Sequence, residues 1–333
     1  MRNTDPWQIS PEDFPWEGTP VERLKFLVGF AILAPSLHNT QPWVFSLGED
    51  AIRVFVDTTR WLRTVDEDQR DLHVSVGCAL ENLLVAASHF GYRYEVDYFP
   101  SPHNSTLVAT VRLVAGDSGL SPREDPLFAA IRSRSTDHRD FSPEPVPFHL
   151  IQTLKGCCTE QGIVLLTSTD RNLLREVDAL LLQADALHFA DPAYREVLAY
   201  GLKQNVFDTH WLLSKLSQLA ASHLRHTNSQ VKPEFQILKD SPLLGILVTE
   251  QDDPLIWIKV GQVFERIFLT AVSLGLRVEP MTHVLQLPTT KSALAALPLM
   301  QGRIPQILFR LGLEEATSAH TLRRPLEEVL LQN

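Results

Sequence analysis

Apolar residues recur at Leu24, Leu27, Val28, Ala31 and Ile32, a spacing that predicts a helix with one buried stripe. Thr19, Pro20 and Glu22 stand just before that stripe, in the order of a cap, a first-position proline and an acidic first turn, so the helix should begin there. At Pro35 the period is lost. From Trp43 to Phe55 the chain reads as a hairpin with Gly48-Glu49-Asp50 at its turn. Residues 1–18, rich in proline, tryptophan and acid, read as an arm lying on the domain surface.

The next apolar pattern occurs twice. GCALENLLVAASHFGYRYE (77–95) lies on GQVFERIFLTAVSLGLRVE (261–279) without a gap, with six identities in nineteen positions. Gly77, Glu81, Ala87, Gly91, Arg93 and Glu95 match Gly261, Glu265, Ala271, Gly275, Arg277 and Glu279. Each copy reads as a helix closed by a C-terminal glycine and followed by a strand. A helix and a strand precede each copy, and a further strand follows (105–116 and 305–313). The pattern therefore predicts an internal duplication of α+β type, joined near the proline-rich, charged stretch between 121 and 147 and divided as residues 1–125 and 126–333. Residues 170–240 form an insertion in the second half that reads as helices.

One element is not duplicated. Between the first helix and its strand stands PSLHNTQPW (35–43), whereas the second half has CCTEQGIVLL (157–166). If Ser36, His38, Asn39, Thr40 and Gln41 only turned the chain, both copies should carry them. Their presence in one copy points to a ligand.

The formal net charge of −10 argues against a nucleic-acid surface, which needs a basic excess. The three cysteines include an adjacent pair, Cys157-Cys158, that disulfide geometry disfavours, so free thiols in a reducing cytoplasm are expected. No run reaches membrane-span length, no signal-peptide pattern opens the chain, and a cytoplasmic location is expected. His223 and His226 lack a nearby third ligand, so no metal is assigned. A dinucleotide-binding glycine motif is absent.

Basic residues cluster twice, in RSRSTDHR (132–139) and at Arg323-Arg324. Arginine forks match phosphate oxygens, although either cluster alone could be a solvated surface. APS-x-HNTQPW after an apolar helix resembles the corner motif of the nitroreductase superfamily of flavin mononucleotide (FMN) proteins. Arg134-x-Thr136-x-His138 with Phe141 is similar to its N-terminal phosphate motif, and LFRLGL…RRPLEEV to its C-terminal strand and basic pair. The duplication resembles the Acg-like branch, which fuses two units in one chain.

The resemblance implies a nitroreductase-like pseudo-dimer with one retained FMN site. Pro35, Ser36, His38 and Asn39 from the first half would meet the isoalloxazine ring, with Pro280, Met281 and Thr282 along it near N5. Arg134, Thr136, Arg139, Arg323 and Arg324 would hold the phosphate. His138 stands where the family has arginine, and Thr282 where several members have glutamate. The implied activity is hydride transfer from reduced flavin to a small nitro or quinone-type acceptor, with NAD(P)H as a possible donor. No catalytic acid or base is required, and His38 is only a weak candidate. The alternative is an FMN-storing protein whose insertion closes the site. A flavin-free scaffold is a third reading. A monomer or a homodimer would fit, without nucleic acid or membrane.

Overall fold

The computed structural model describes residues 5–116, 122, 125–136, 141–203, 238, 241–313 and 320–331. The first helix, α1 (Pro20–Ala31), starts as its sequence dictates: Thr19 and Glu22 form a reciprocal capping box, with Pro20 in the first turn. The hairpin follows as β1 (Trp43–Leu47) and β2 (Ala51–Val56). Next come α2 (Arg70–His89), β3 (Tyr92–Tyr98) and β4 (Leu107–Ala115). After α3 (Pro126–Ser133) the same series returns as α4 (Phe148–Gly156) and β5 (Ile163–Ser168). The helices α5 (Arg171–Ala190) and α6 (Pro192–Lys203) of the insertion intervene before β6 (Leu243–Thr249). The remaining elements are α7 (Pro254–Ser273), β7 (Leu276–Pro280), α8 (Pro288–Ala295) and β8 (Ile304–Leu313). The third helix read within the insertion lies outside the described residues.

The two halves build the same sheet. Four antiparallel strands run in the order β1-β2-β4-β3, and four more in the order β5-β6-β8-β7. The repeated Arg-x-Glu has a cross-strand reason: Glu95 faces Arg112 and Glu279 faces Arg310 at corresponding places, pairs of opposite charge that stabilise a register. Gly91 and Gly275 close their helices with φ of 84° and 77°, the left-handed region where a side chain would be strained.

The helices α2 and α7 run side by side through the core. A Cβ on Gly77 would stand 2.1 Å from the Ile258 carbonyl oxygen, and one on Gly261 2.1 Å from that of Val74. Adding 184 converts one contact into the other, so the matched glycines sit on an internal two-fold axis. Farther along, Arg266 pairs with Glu81 at 2.7 Å. In the mirrored place Asn82, its amide turned to satisfy both ends, donates to Glu265 at 3.0 Å.

The N-terminal arm corrects one expectation. It does not merely lie on the surface: Trp7 and Phe14 are buried, Phe14 stacks on Phe90 with centroids 4.2 Å apart, and Ile9 fills the space above Gly29. Cys78 and Cys157 are buried free thiols, and Cys158 is half-buried. No described helix is long and apolar enough to cross a membrane.

Candidate functional site

Beyond Pro35 the corner turns through left-handed backbone at His38 (φ 46°), Asn39 (56°) and Gln41 (52°). Each such non-glycine residue costs on the order of 1 kcal/mol or more, so tertiary contacts must hold the turn. Two of its side chains are local braces. Ser36 Oγ accepts from the Gln41 N–H at 3.0 Å, and Thr40 Oγ1 donates to the Leu37 carbonyl at 2.9 Å. Two others clasp the C-terminal segment. Asn39 Nδ2 donates to the Leu322 carbonyl at 2.7 Å, and Gln41 Oε1 accepts from the Arg324 N–H at 2.9 Å. Downstream, Phe45 and Leu330 form a parallel bridge at the free edge of β1. The end of the second half therefore lies on the first half's corner.

This arrangement brings two arginines, distant in sequence, to one place. Arg323 Nη2 donates to the carbonyls of Leu33 (2.9 Å) and Ala34 (3.0 Å), while Nη1 donates to Asn39 Oδ1 at 3.0 Å. Arg134, at the end of α3, donates to Leu33 O at 3.4 Å and lies 3.9 Å from Glu265. Both are buried, at 2% and 3% exposure. Trp7 lies 4.7 Å from the Arg323 guanidinium and stacks on His320. Among the described residues, Arg134 Nε and Nη1 and Arg323 Nε have no hydrogen-bond partner.

The electrostatics follow from that burial. Loss of water pushes both guanidinium groups below their usual range, each opposed by Glu265, and Arg134 pushes Arg323 down further. Burial raises the Glu265 carboxyl to about 7 despite Arg134. Two buried cations thus share one carboxyl group whose burial favours its neutral form. Such a donor-rich, under-compensated cluster suits a multiply charged anion with several acceptor oxygens, and the residues fit the phosphate end of FMN.

The other expected phosphate residues are distributed differently. Thr136 is half-buried, two residues beyond Arg134, whereas Arg139 and His138 lie outside the described residues. Arg324 turns its Nη1 toward Glu328 at 3.2 Å, so the basic pair splits, one member at the corner and one beside the 3-10 turn.

On the other side of the corner, β7 ends at Pro280. Met281 is buried and bonded through its N–H to Leu308 O at 2.7 Å. Thr282 opens a short 3-10 turn. His283 Nε2 lies 3.5 Å from Asp185 of α5, and His188 Nε2 donates to the His283 carbonyl at 3.2 Å. Tyr194, Val197 and Leu198 of α6 form an apolar cluster with Leu37, so α5 and α6 cover the corner. Burial, reinforced by His188 and His283, lowers His38 to about 4.

His38 is therefore neutral at physiological pH. Its imidazole resonance should titrate near 4 in NMR, about two units below an ordinary histidine. Folded His38 refuses a proton that the unfolded chain takes up below about 6.5, so its contribution to stability declines as pH falls from there to about 4. A His38→Gln variant should flatten stability against pH across that window; an unchanged slope would refute the assignment.

The sequence reading missed Trp7, Arg60, Asp185, His188 and His283. Arg60 Nη1 donates to the Gln41 carbonyl at 2.7 Å. His283 directly follows the expected Pro-Met-Thr segment and could have been found from it. Asp185 and His188 belong to the insertion, whose residues have no counterpart in the first half to compare.

No family model matches the chain. It is similar to two Mycobacterium tuberculosis proteins. It is 30% identical over 301 residues to "Putative NAD(P)H nitroreductase Rv3131", covering 87% of this chain and 85% of that one. Identity with "Putative NAD(P)H nitroreductase acg" is 27% over 323 residues, covering 92% and 94%. Among solved structures, a nitroreductase with bound FMN from Desulfitobacterium hafniense aligns with 63% of this chain and 100% of its own, at 14% identity and a TM-score of 0.41. With a relative matched across nearly its whole length, and one sheet design built twice in one chain, this protein belongs to the nitroreductase superfamily, in its Acg-like branch.

Proposed function

We propose that the protein is an FMN-dependent oxidoreductase with one flavin site per chain, made where the first half's corner meets the second half's arginines. The meeting of buried Arg134 and Arg323 with residues 33–39 carries this reading. Residues 1–125 and 126–333 are the two units. Bound FMN would take up a hydride, with NAD(P)H as donor, and pass it to a small nitro or quinone-type acceptor. The protein's own part is to bind and orient. Arg134, Thr136 and Arg323 hold the phosphate, with Arg139 and Arg324 as further donors. Pro35, Ser36, His38 and Asn39 line one side of the ring and Pro280, Met281 and Thr282 the other. His38, neutral, adds a hydrogen-bonding group without adding charge. The helices α5 and α6 keep water from the corner.

The same cover favours a second reading, an FMN-storing protein with little turnover, because α6 packs directly on Leu37. Anaerobic addition of NADPH to the FMN-loaded protein separates the two. The oxidoreductase bleaches its visible flavin band within seconds and regains it on adding a quinone. A band that persists for hours supports storage, and a protein that takes up no FMN overturns both.

A further inference from the structure

An open pocket of about 470 Å³ lies at the start of α7, lined on one side by Asp253, Pro254 and Leu255 and on the other by His73, Tyr98 and Phe99. The 184-residue offset that superposes Gly77 on Gly261 also places Gln69 on Asp253 and His73 on Trp257. The pocket thus lies between the N-terminal ends of α2 and α7, whose symmetry-related caps Gln69 and Asp253 both line it. Its residues differ from those of the corner site, and its ligand must be read from them.

His73 is 5% exposed and lines the pocket. Its Nδ1 lies 2.7 Å from the Gln69 carbonyl oxygen. A carbonyl oxygen can only accept, so Nδ1 carries the proton and Nε2 of the neutral ring is left with a lone pair. Burial keeps the imidazole below its ordinary range. No hydrogen bond is made by Nε2 among the described residues. Around it the walls are aromatic: the Trp257 and Phe99 rings lie 5.8 Å and 6.4 Å from the His73 ring. Tyr98 gives its hydroxyl to Gln262 at 2.7 Å. The Asp253 carboxylate accepts from the Ile256 N–H at 3.0 Å, capping α7. The pocket therefore offers the Tyr98 and Phe99 rings, the His73 Nε2 acceptor, the small polar side chains of Thr58, Gln69, Ser105 and Thr106, and no lysine or arginine.

We propose that this pocket binds a small neutral aromatic ring bearing one hydrogen-bond donor, a phenol in the simplest case, with His73 Nε2 accepting its proton. An anion would meet the Asp253 carboxylate and a lone pair. An aromatic ring without a donor would displace water from His73 Nε2 and leave that acceptor unsatisfied, which costs more than the bond itself contributes. The site does not depend on the flavin reading, because none of these residues touches the corner.

Phenol and anisole are the probes, since they differ in the one hydrogen that His73 would accept. Titrated into the full-length protein by calorimetry, phenol should bind about tenfold more tightly than anisole, the worth of one net hydrogen bond. His73→Phe keeps an aromatic wall and should reduce phenol to the level of anisole. Leu255→Trp should fill the mouth and abolish both, while FMN uptake stays unchanged in either variant. If His73→Phe does not fold, the ¹⁵N resonance of His73 Nε2 in the wild type serves instead, and it should move on phenol addition but not on anisole addition. Equal affinity for both probes, a His73→Phe protein that still prefers phenol, or a stationary Nε2 resonance overturns the proposal.

Discussion

Gly77→Ala should cost about 3 kcal/mol or more in a denaturant titration, at the upper end of what one added methyl group usually costs. The new Cβ would meet the Ile258 carbonyl oxygen at 2.1 Å and Gly261 Cα at 3.0 Å. Both obstacles are backbone, so no rotamer change relieves the clash and α2 must move away from α7. Internal symmetry adds a sharper expectation. Gly261→Ala meets Val74 in the same way, so the two single variants should be destabilised equally. The double variant should cost less than their sum, because helices already separated accommodate the second methyl group. Gly156 has nothing within 4 Å of its added Cβ, and Gly156→Ala is the control, neutral or slightly stabilising. A loss below about 1 kcal/mol at Gly77 would mean that the helices do not meet there.

Arg323→Ala should produce the largest change at the corner, in two separable measurements. The variant strips donors from Leu33 O, Ala34 O and Asn39 Oδ1. Removing one partner from a buried charged network typically costs about 3–5 kcal/mol, and denaturation of the flavin-free protein reads this loss. It should also weaken FMN by about 10- to 100-fold, the loss of a charge-assisted contact to phosphate, read by flavin fluorescence. Arg323→Lys keeps the charge but not the planar fork that spans two carbonyls. It should recover part of the affinity and little of the stability. Unchanged FMN affinity in Arg323→Ala would place the phosphate elsewhere, whatever happened to stability.

Much of this architecture is legible in the pattern of residues, because it is repeated. The capping box at Thr19, the glycines at 91 and 275 and the strands after them follow from local rules, and the agreement of the copies reinforces each. The matched Glu81 and Glu265 are visible as identities, yet their partners are not. Arg266 answers one and Asn82 the other, a divergence that only the crossing of α2 and α7 explains. At the corner, the residue types pointed to a ligand, but their division of labour did not show. Ser36 and Thr40 brace the turn while Asn39 and Gln41 grip a segment almost 300 positions away, and sequence spacing carries no information about such distances. Arg323 and Arg324 are neighbours in sequence and point to different partners. The covering histidine of α5 came from the insertion, where there was no second copy to read.

The bridge between Phe45 and Leu330 has a consequence for how the molecule is made. Synthesis runs from the first residue to the last, so both sheets and both central helices emerge from the ribosome before Arg323 and the segment that fastens it to β1. The growing chain can complete each sheet in turn, as segments of a large protein commonly do, but until residues 322–324 arrive Asn39 and Gln41 lack the partners they grip there. Under the proposed function, an anion held between these elements would therefore be captured only after the segment around Arg323 has emerged.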